Sequence, residues 1–237
     1  MKDILQWKQE VEKYNAALSR ILDEKSNQKD LYYGFEVIDG KLIKNPEILF
    51  IGINPGRGNG QRDRNVFAKD RISYLDKYDD AYQEDYPNRY HLAEKTIKFF
   101  ELAGWKDAKI MKVFSRKAVK TNFYHLATDN IQDLERVLQN VNLNKEYFNK
   151  SAEFSIQLIN ILKPKVIILE GKTVFDFIVE ECYEKKVWND KGFGYFFDQP
   201  NHSHILGYNR NISNENREYF VKKLKEVLEE DRVAVFK

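Results

Sequence analysis

The chain holds a single cysteine, Cys182, in 237 residues. One thiol cannot build an intrachain disulfide framework, nor a four-cysteine zinc or iron–sulfur centre. No run approaches the roughly 18 consecutive apolar residues of a membrane span, so no membrane partner is expected. The N-terminal segment is charged and amphipathic and lacks the apolar centre of a signal peptide. A soluble chain in a reducing, cytoplasmic compartment is the expectation. No charge of one sign dominates either. Lys and Arg number 39 against 37 Asp and Glu, and the net charge of +2 argues neither for nor against nucleic acid. No internal repeat, low-complexity tract or linker interrupts the sequence.

Familiar chemical motifs are missing as well. "EGKTV" at 170–174 resembles the end of a phosphate-binding loop, but Val166 stands where the first glycine of that cradle belongs. "GRGNG" at 56–60 is not followed directly by a helix, so it is only a weak match to a dinucleotide fingerprint. There is no G-x-S-x-G nucleophile elbow and no H-x-E with P-C-x-x-C of a zinc deaminase. His202 and His204 form an H-x-H pair that a strand would present on one side, with Asp198 nearby as a third ligand. Nothing fixes that third position, and ordinary hydrogen-bonding histidines are the simpler reading. No metal and no cofactor is expected.

What is present is a large core. Apolar residues make up 42% of the chain, with 16 Phe and 14 Tyr, which suits one α/β domain over 1–237. Apolar residues at three- and four-residue spacing, Ile4, Trp7, Val11, Tyr14, Leu18 and Ile21, predict a helix over 2–23. "LYYGFEVIDGKLIKN" predicts a short hairpin turning at Asp39-Gly40. "EILFIGI" is apolar on both faces, as a buried parallel strand requires. Residues 57–90 read as a long polar loop, of a length that is usually functional or mobile. "HLAEKTIKFFELAG" predicts a helix closed by Gly104. "MKVFSRKAVKTNFYHLAT" predicts the next strand or strands, and 130–162 is helical. "KPKVIILEG" is another apolar strand, followed by a helix over "KTVFDFIVEECYEK". "GYFFDQPNHSHILGYNRN" predicts a last core strand and a loop, and the final helix begins at a Ser213 or Asn214 cap. Alternating strands and helices define a three-layer α/β sandwich with a mainly parallel central sheet flanked by helices. Ligands of such sheets bind beyond the carboxyl ends of the strands.

Three strand ends carry an asparagine in this reading: Asn54 in "GINPG", Asn122 in "KTNFYHLAT" and Asn201 in "QPNHSHILGYNR". Here the sequence resembles the uracil-DNA glycosylase superfamily. "GINPG" is similar to the first active-site motif of its mismatch-specific and thymine-DNA glycosylase branch. "PNRYHLAEKTIKFFELAGW" resembles that branch's N-R-F-W segment and following helix. "TNF" is similar to a middle-strand asparagine motif, "KPKVIILEG" to the penultimate strand, and "PNHSH" to the second active-site motif, with His202 in place of the usual proline. The resemblance covers 47–210 discontinuously. The N-terminal helix and hairpin, 1–45, lie outside it.

The resemblance implies a uracil-DNA glycosylase-like fold and a monofunctional DNA N-glycosylase, a monomer acting on double-stranded DNA with a flipped pyrimidine. Such an enzyme stabilises negative charge on the departing base and positions a water at C1′. Asn54 would orient that water through its carbonyl, in a turn set by Gly52, Ile53, Pro55 and Gly56. Asn122 would read the pyrimidine's Watson–Crick edge. Asn201 or His202 would stabilise the leaving base. Ser203 and His204 would face the DNA, with Ser203 on a phosphate, and Ile205 or Leu206 would wedge into the stack. Phe67, Tyr86 and Phe123 are the candidate platforms for the base. Arg57, Arg210 and Lys120 are candidate phosphate contacts, with Arg62, Arg64 and the basic run Lys109, Lys112, Arg116 and Lys117 beside them. Some superfamily members remove modified bases from phage DNA, so a modified, damaged or mismatched pyrimidine is the expected substrate class. The rival readings are a non-catalytic nucleic-acid-binding module of the same fold and a small-molecule N-glycoside hydrolase.

Overall fold

A computed structural model describes residues 3–56 and 91–229. Helix α1 (Ile4–Lys25) opens on Asp3, whose carboxylate accepts from Gln6 N. A 3₁₀ turn (Lys29–Leu31) and an extended segment lead to β1 (Ile48–Gly52). Helices α2 (His91–Leu102) and α3 (Asp107–Lys117) precede β2 (Ala118–Asn122). Helices α4 (Ile131–Gln139) and α5 (Asn144–Leu162) lead to β3 (Val166–Leu169). Helix α6 (Lys172–Phe175) widens into a π-helical stretch (Asp176–Cys182). Strands β4 (Phe193–Asp198) and β5 (Ser203–Tyr208) and helix α7 (Asn214–Glu229) complete the described fold.

The five strands run in the order β2-β1-β3-β5-β4. The first four are parallel neighbours, and β4 joins the edge antiparallel to β5. Side chains alternate across each strand, so the sheet feeds two cores. Leu49, Ile51, Val119, Ile167 and Ile205 pack under α1, α4, α5 and α6. Phe50, Ala118, Val166, Ile168 and Leu206 pack under α2, α3 and α7. The chain is therefore an α/β protein with a mostly parallel central sheet flanked by helices. No described helix is long and apolar enough to cross a membrane.

Three sequence expectations change. Residues 31–45 form no hairpin of their own. Glu36 N donates to His125 O and Asp39 N to Lys120 O, so this segment runs along the outer edge of β2 and fences it. Residues 111–117 are helix, because Ile110, Val113 and Phe114 fall at helical spacing on a buried face, and only 118–122 is strand. "GYFFDQPNHSHILGY" is two antiparallel strands with a turn at 199–202, His202 taking a left-handed φ of 52°. The final helix is capped by Ser213, whose Oγ accepts from Asn216 N.

One packing contact dictates sequence on β4 and β5. Gly194 and Gly207 are paired in register, and the Phe175 ring lies across both. A Cβ at either glycine would sit 2.3 Å from that ring. The helix after β3 can close down on the sheet only because both positions lack a side chain.

Candidate active site

A cavity of about 520 Å³ opens at the carboxyl edge of the parallel strands. The turn after β1 supplies Gly52 to Gly56, β2 supplies Lys120 and Asn122, the end of β3 supplies Glu170 and Gly171, and the end of β5 supplies Asn209 and Arg210. The amino ends of α4, at Asn130, and α6, at Lys172, also face it. This is the position physics favours for a ligand in such a sheet.

The orientation of Asn54 follows from its neighbours. Its Nδ2 lies 3.0 Å from Thr128 Oγ1, 3.2 Å from Thr128 O and 3.2 Å from Pro55 O. Both carbonyls can only accept. The Thr128 hydroxyl donates to Asn130 O at 2.7 Å, so toward Asn54 it too must accept. The amide end is thus held by acceptors, and the carbonyl Oδ1 is the end left for a ligand. Thr128 is itself held. Tyr147 OH accepts from His125 N and Leu126 N at 2.9 Å each and donates to Asn15 Oδ1 on α1 at 3.1 Å. Packing of α1 and α5 therefore fixes the turn after β2, and that turn fixes Asn54.

Asn122 stands opposite Gly52 in the ladder. A Cβ on residue 52 would lie 2.4 Å from Asn122 Oδ1, so only glycine leaves room for this carboxamide. Asn122 is 6% exposed, and its carboxamide makes no hydrogen bond to another described residue. The carboxamide lines the cavity, where a ligand can bond both its donor and its acceptor.

Lys120 and Glu170 form an ion pair at the cavity floor, their side chains 7% and 0% exposed. Thr96 Oγ1 on α2 donates to Leu92 O at 2.9 Å and lies 3.1 Å from Tyr208 OH and 3.5 Å from Glu170 Oε1. Burial beside the Glu170 carboxylate pushes the Tyr208 hydroxyl well above its ordinary range, so it stays a neutral donor. At the rim, exposed Arg210 donates from Nε to Glu170 O at 3.0 Å.

The structure brings together Gly52, Ile53, Asn54, Pro55, Gly56, Lys120, Asn122 and Arg210. It does not bring the second motif to them. Asn201 and His202 lie in the β4–β5 turn, at the amino end of β5 and so at the opposite edge of the sheet. Asn201 Nδ2 is spent on Asp198 Oδ2 at 2.7 Å and Asn160 Oδ1 at 2.8 Å. Ser203 is fully buried and donates to Pro164 O at 2.5 Å, so it is no phosphate contact. His204 packs on Phe197 and bonds Tyr195 OH through Nδ1. Ile205 and Leu206 are core residues of a central strand and cannot wedge into DNA. Phe123 is buried among Tyr124, Phe148 and Phe177, on the far face of the sheet, and offers no stacking surface. Lys120 is a floor residue rather than a surface phosphate contact. The basic run on α3 leads to the amino end of β2, away from the cavity, with Lys109 stacked on Trp105 and Lys117 paired to Glu47. Arg57, Arg62, Arg64, Phe67, Tyr86 and the NRY triplet lie outside the described residues.

Thr128, Glu170 and Asn209 escaped the sequence reading. Two of them carried a signal. An apolar strand that stops on an acid, "VIILEG", marks Glu170, and "HILGY" is a strand pattern whose carboxyl end is Asn209-Arg210. Among the described residues, no group of three or more His, Cys, Asp or Glu is placed to hold a metal ion. The sequence matches no protein-family model and no curated protein.

Proposed function

We propose that the chain is a monofunctional DNA N-glycosylase of uracil-DNA glycosylase-like fold, which hydrolyses the C1′–N bond of a flipped pyrimidine. The observation that carries this reading is the meeting of Asn54 and Asn122 in one cavity. The first presents a carbonyl locked outward by Thr128, and the second a carboxamide that lines the cavity and bonds no other described side chain. The carbonyl suits a water aimed at C1′, and the carboxamide suits the donor–acceptor edge of a base. The cavity volume fits one nucleobase and part of its sugar, which is what base flipping delivers. Arg210 at the rim is the phosphate contact in this scheme, and residues 209–210 take the place at the last parallel strand's end that "PNHSH" was expected to fill.

The substrate is a modified, damaged or mismatched pyrimidine, with a modified cytosine of phage DNA in antiviral defence as one member of that class. The test is base release, read by mass spectrometry, from duplexes carrying uracil, thymine mismatches and hydroxymethylated or glucosylated cytosine. Tight duplex binding with no base released from any substrate would favour a binding module instead. Release from free nucleosides, insensitive to salt, would favour a small-molecule hydrolase.

A further inference from the structure

We infer that Lys120 is the group that stabilises the departing base, with Glu170 as its positioning residue. The inference rests on the glycosylase reading and goes beyond it, because the resemblance gave this role to Asn201 or His202, and both lie at the far edge of the sheet.

Bond cleavage leaves the electron pair of the C1′–N bond on the base, and a compensating positive charge must stand close to it. Three cationic side chains line the cavity, Lys120, Lys172 and Arg210. Lys172, on α6, is exposed and paired to Asp176. Arg210 sits exposed at the rim and is turned toward Glu170 O. Lys120 is at the floor, two residues before Asn122 on the same face of β2, where the buried end of a base would rest. Its side chain is only 7% exposed, so water screens its field weakly.

The surroundings explain how a lysine survives there. A lone buried ammonium would be expelled or neutralised. The fully buried Glu170 carboxylate holds it as an ion pair, and Thr96, from α2, lies 3.5 Å from Glu170 Oε1. An ammonium has three donors, so its bonds inside the protein, that to Glu170 among them, are compatible with one more to a base oxygen. In the reaction, the C1′–N bond breaks with its electron pair going to the base. The water held by Asn54 forms the new bond to C1′ and loses a proton to solvent, and the base anion, hydrogen-bonded by Lys120, takes up a proton on release. No oxidant or other co-reactant enters.

The experiment is single-turnover excision by the full chain, using duplexes in which the base that the wild type releases is varied at C5: 5-fluoro, unsubstituted and 5-methyl. Lys120→Met alone strands a buried carboxylate and endangers folding. The working variant is therefore Lys120→Met with Glu170→Gln, which removes both charges, and circular dichroism checks its fold. The double variant is expected to lose about 10²–10³-fold on the unsubstituted base. The loss should be smaller for the 5-fluoro base, whose anion needs less help, and larger for the 5-methyl base. Glu170→Gln alone should slow excision while keeping the wild-type dependence on leaving group. An equal loss on all three bases, or no loss, would overturn the role of Lys120. If the wild type releases no base from any duplex, the glycosylase reading itself fails and takes this inference with it.

Discussion

One threonine decides which end of the Asn54 carboxamide meets the cavity: Thr128 presents both its hydroxyl, at 3.0 Å, and its carbonyl, at 3.2 Å, to Asn54 Nδ2. The consequence is measurable. Asn54→Ala should cut single-turnover excision by at least about 10²-fold while duplex binding survives. Thr128→Val keeps the carbonyl contact but loses the hydroxyl, and should cost between about 10- and 100-fold through misplacement alone. Unchanged excision by Asn54→Ala would end the water-positioning role.

Gly52 can be probed with a single methyl group. In Gly52→Ala the new Cβ would fall 2.4 Å from Asn122 Oδ1, so the carboxamide must move. The expected result is an altered ranking of released bases with little change in urea midpoint. Asn122→Ala should shift the ranking in the same way. If either variant lost all bases to the same extent, Asn122 would not be reading them.

The β4–β5 turn offers the complementary control. Asn201→Ala and His202→Ala should leave the single-turnover rate at its wild-type value, because both residues lie at the opposite edge of the sheet from the cavity. Asn201→Ala should instead lower stability by about 1 kcal/mol, through loss of its bond to Asp198. A collapse of excision without loss of stability would restore the second motif to the site.

Tyr147 couples the N-terminal helix to the cavity. Tyr147→Phe strips the acceptor from His125 N and Leu126 N, both buried. Each orphaned N–H costs about 1–3 kcal/mol, so the urea midpoint should fall clearly. Excision should slow with it, because the same turn carries Thr128. Slower excision with an unchanged midpoint would contradict the structural route.

His125 sets an acid limit. Burial pushes its imidazole down to about 3, against an unfolded value of about 6.5. The folded state therefore binds fewer protons than the unfolded state between those two values. Stability should fall as pH drops from about 6.5 toward 3, with this group contributing up to about 1.4 kcal/mol per pH unit. Urea midpoints at pH 7 and pH 5 should separate more in the wild type than in His125→Leu. Equal separations would show that His125 is not responsible.

Much of the architecture was legible because fully apolar strands announce themselves. "ILFIG" and "VIIL" are buried on both faces, and only parallel strands between two helix layers need that pattern. The half-buried "FGYFFD" on the edge strand gives a weaker signal, and its partner "SHILGY" reads as a loop because the asparagine and histidine before it invite chemistry. Helix α3 hides behind Val113 and Phe114, whose β-forming types mask a helical spacing. For the site, Gly52, Asn54 and Asn122 were legible because a glycine-flanked turn after a buried strand has few uses. Lys120 and Glu170 were not. Nothing local says that a lysine on β2 and a glutamate after β3, separated by β1, will share one floor.

The order in which the strands can come together also follows from the hairpin of β4 and β5. Every other pairing is remote in sequence: Ile48 must find Ala118 and Val166, and Val166 must find His204. Closing such large loops delays the parallel pairs, whereas the turn at 199–202 closes almost at once. Asn201, with bonds to Asp198 and Asn160, ties that early hairpin to α5. The turn at 199–202 is then the one local strand pairing among the described strands, and the slow step of sheet assembly falls on the long-range parallel pairs that carry the cavity at their carboxyl ends.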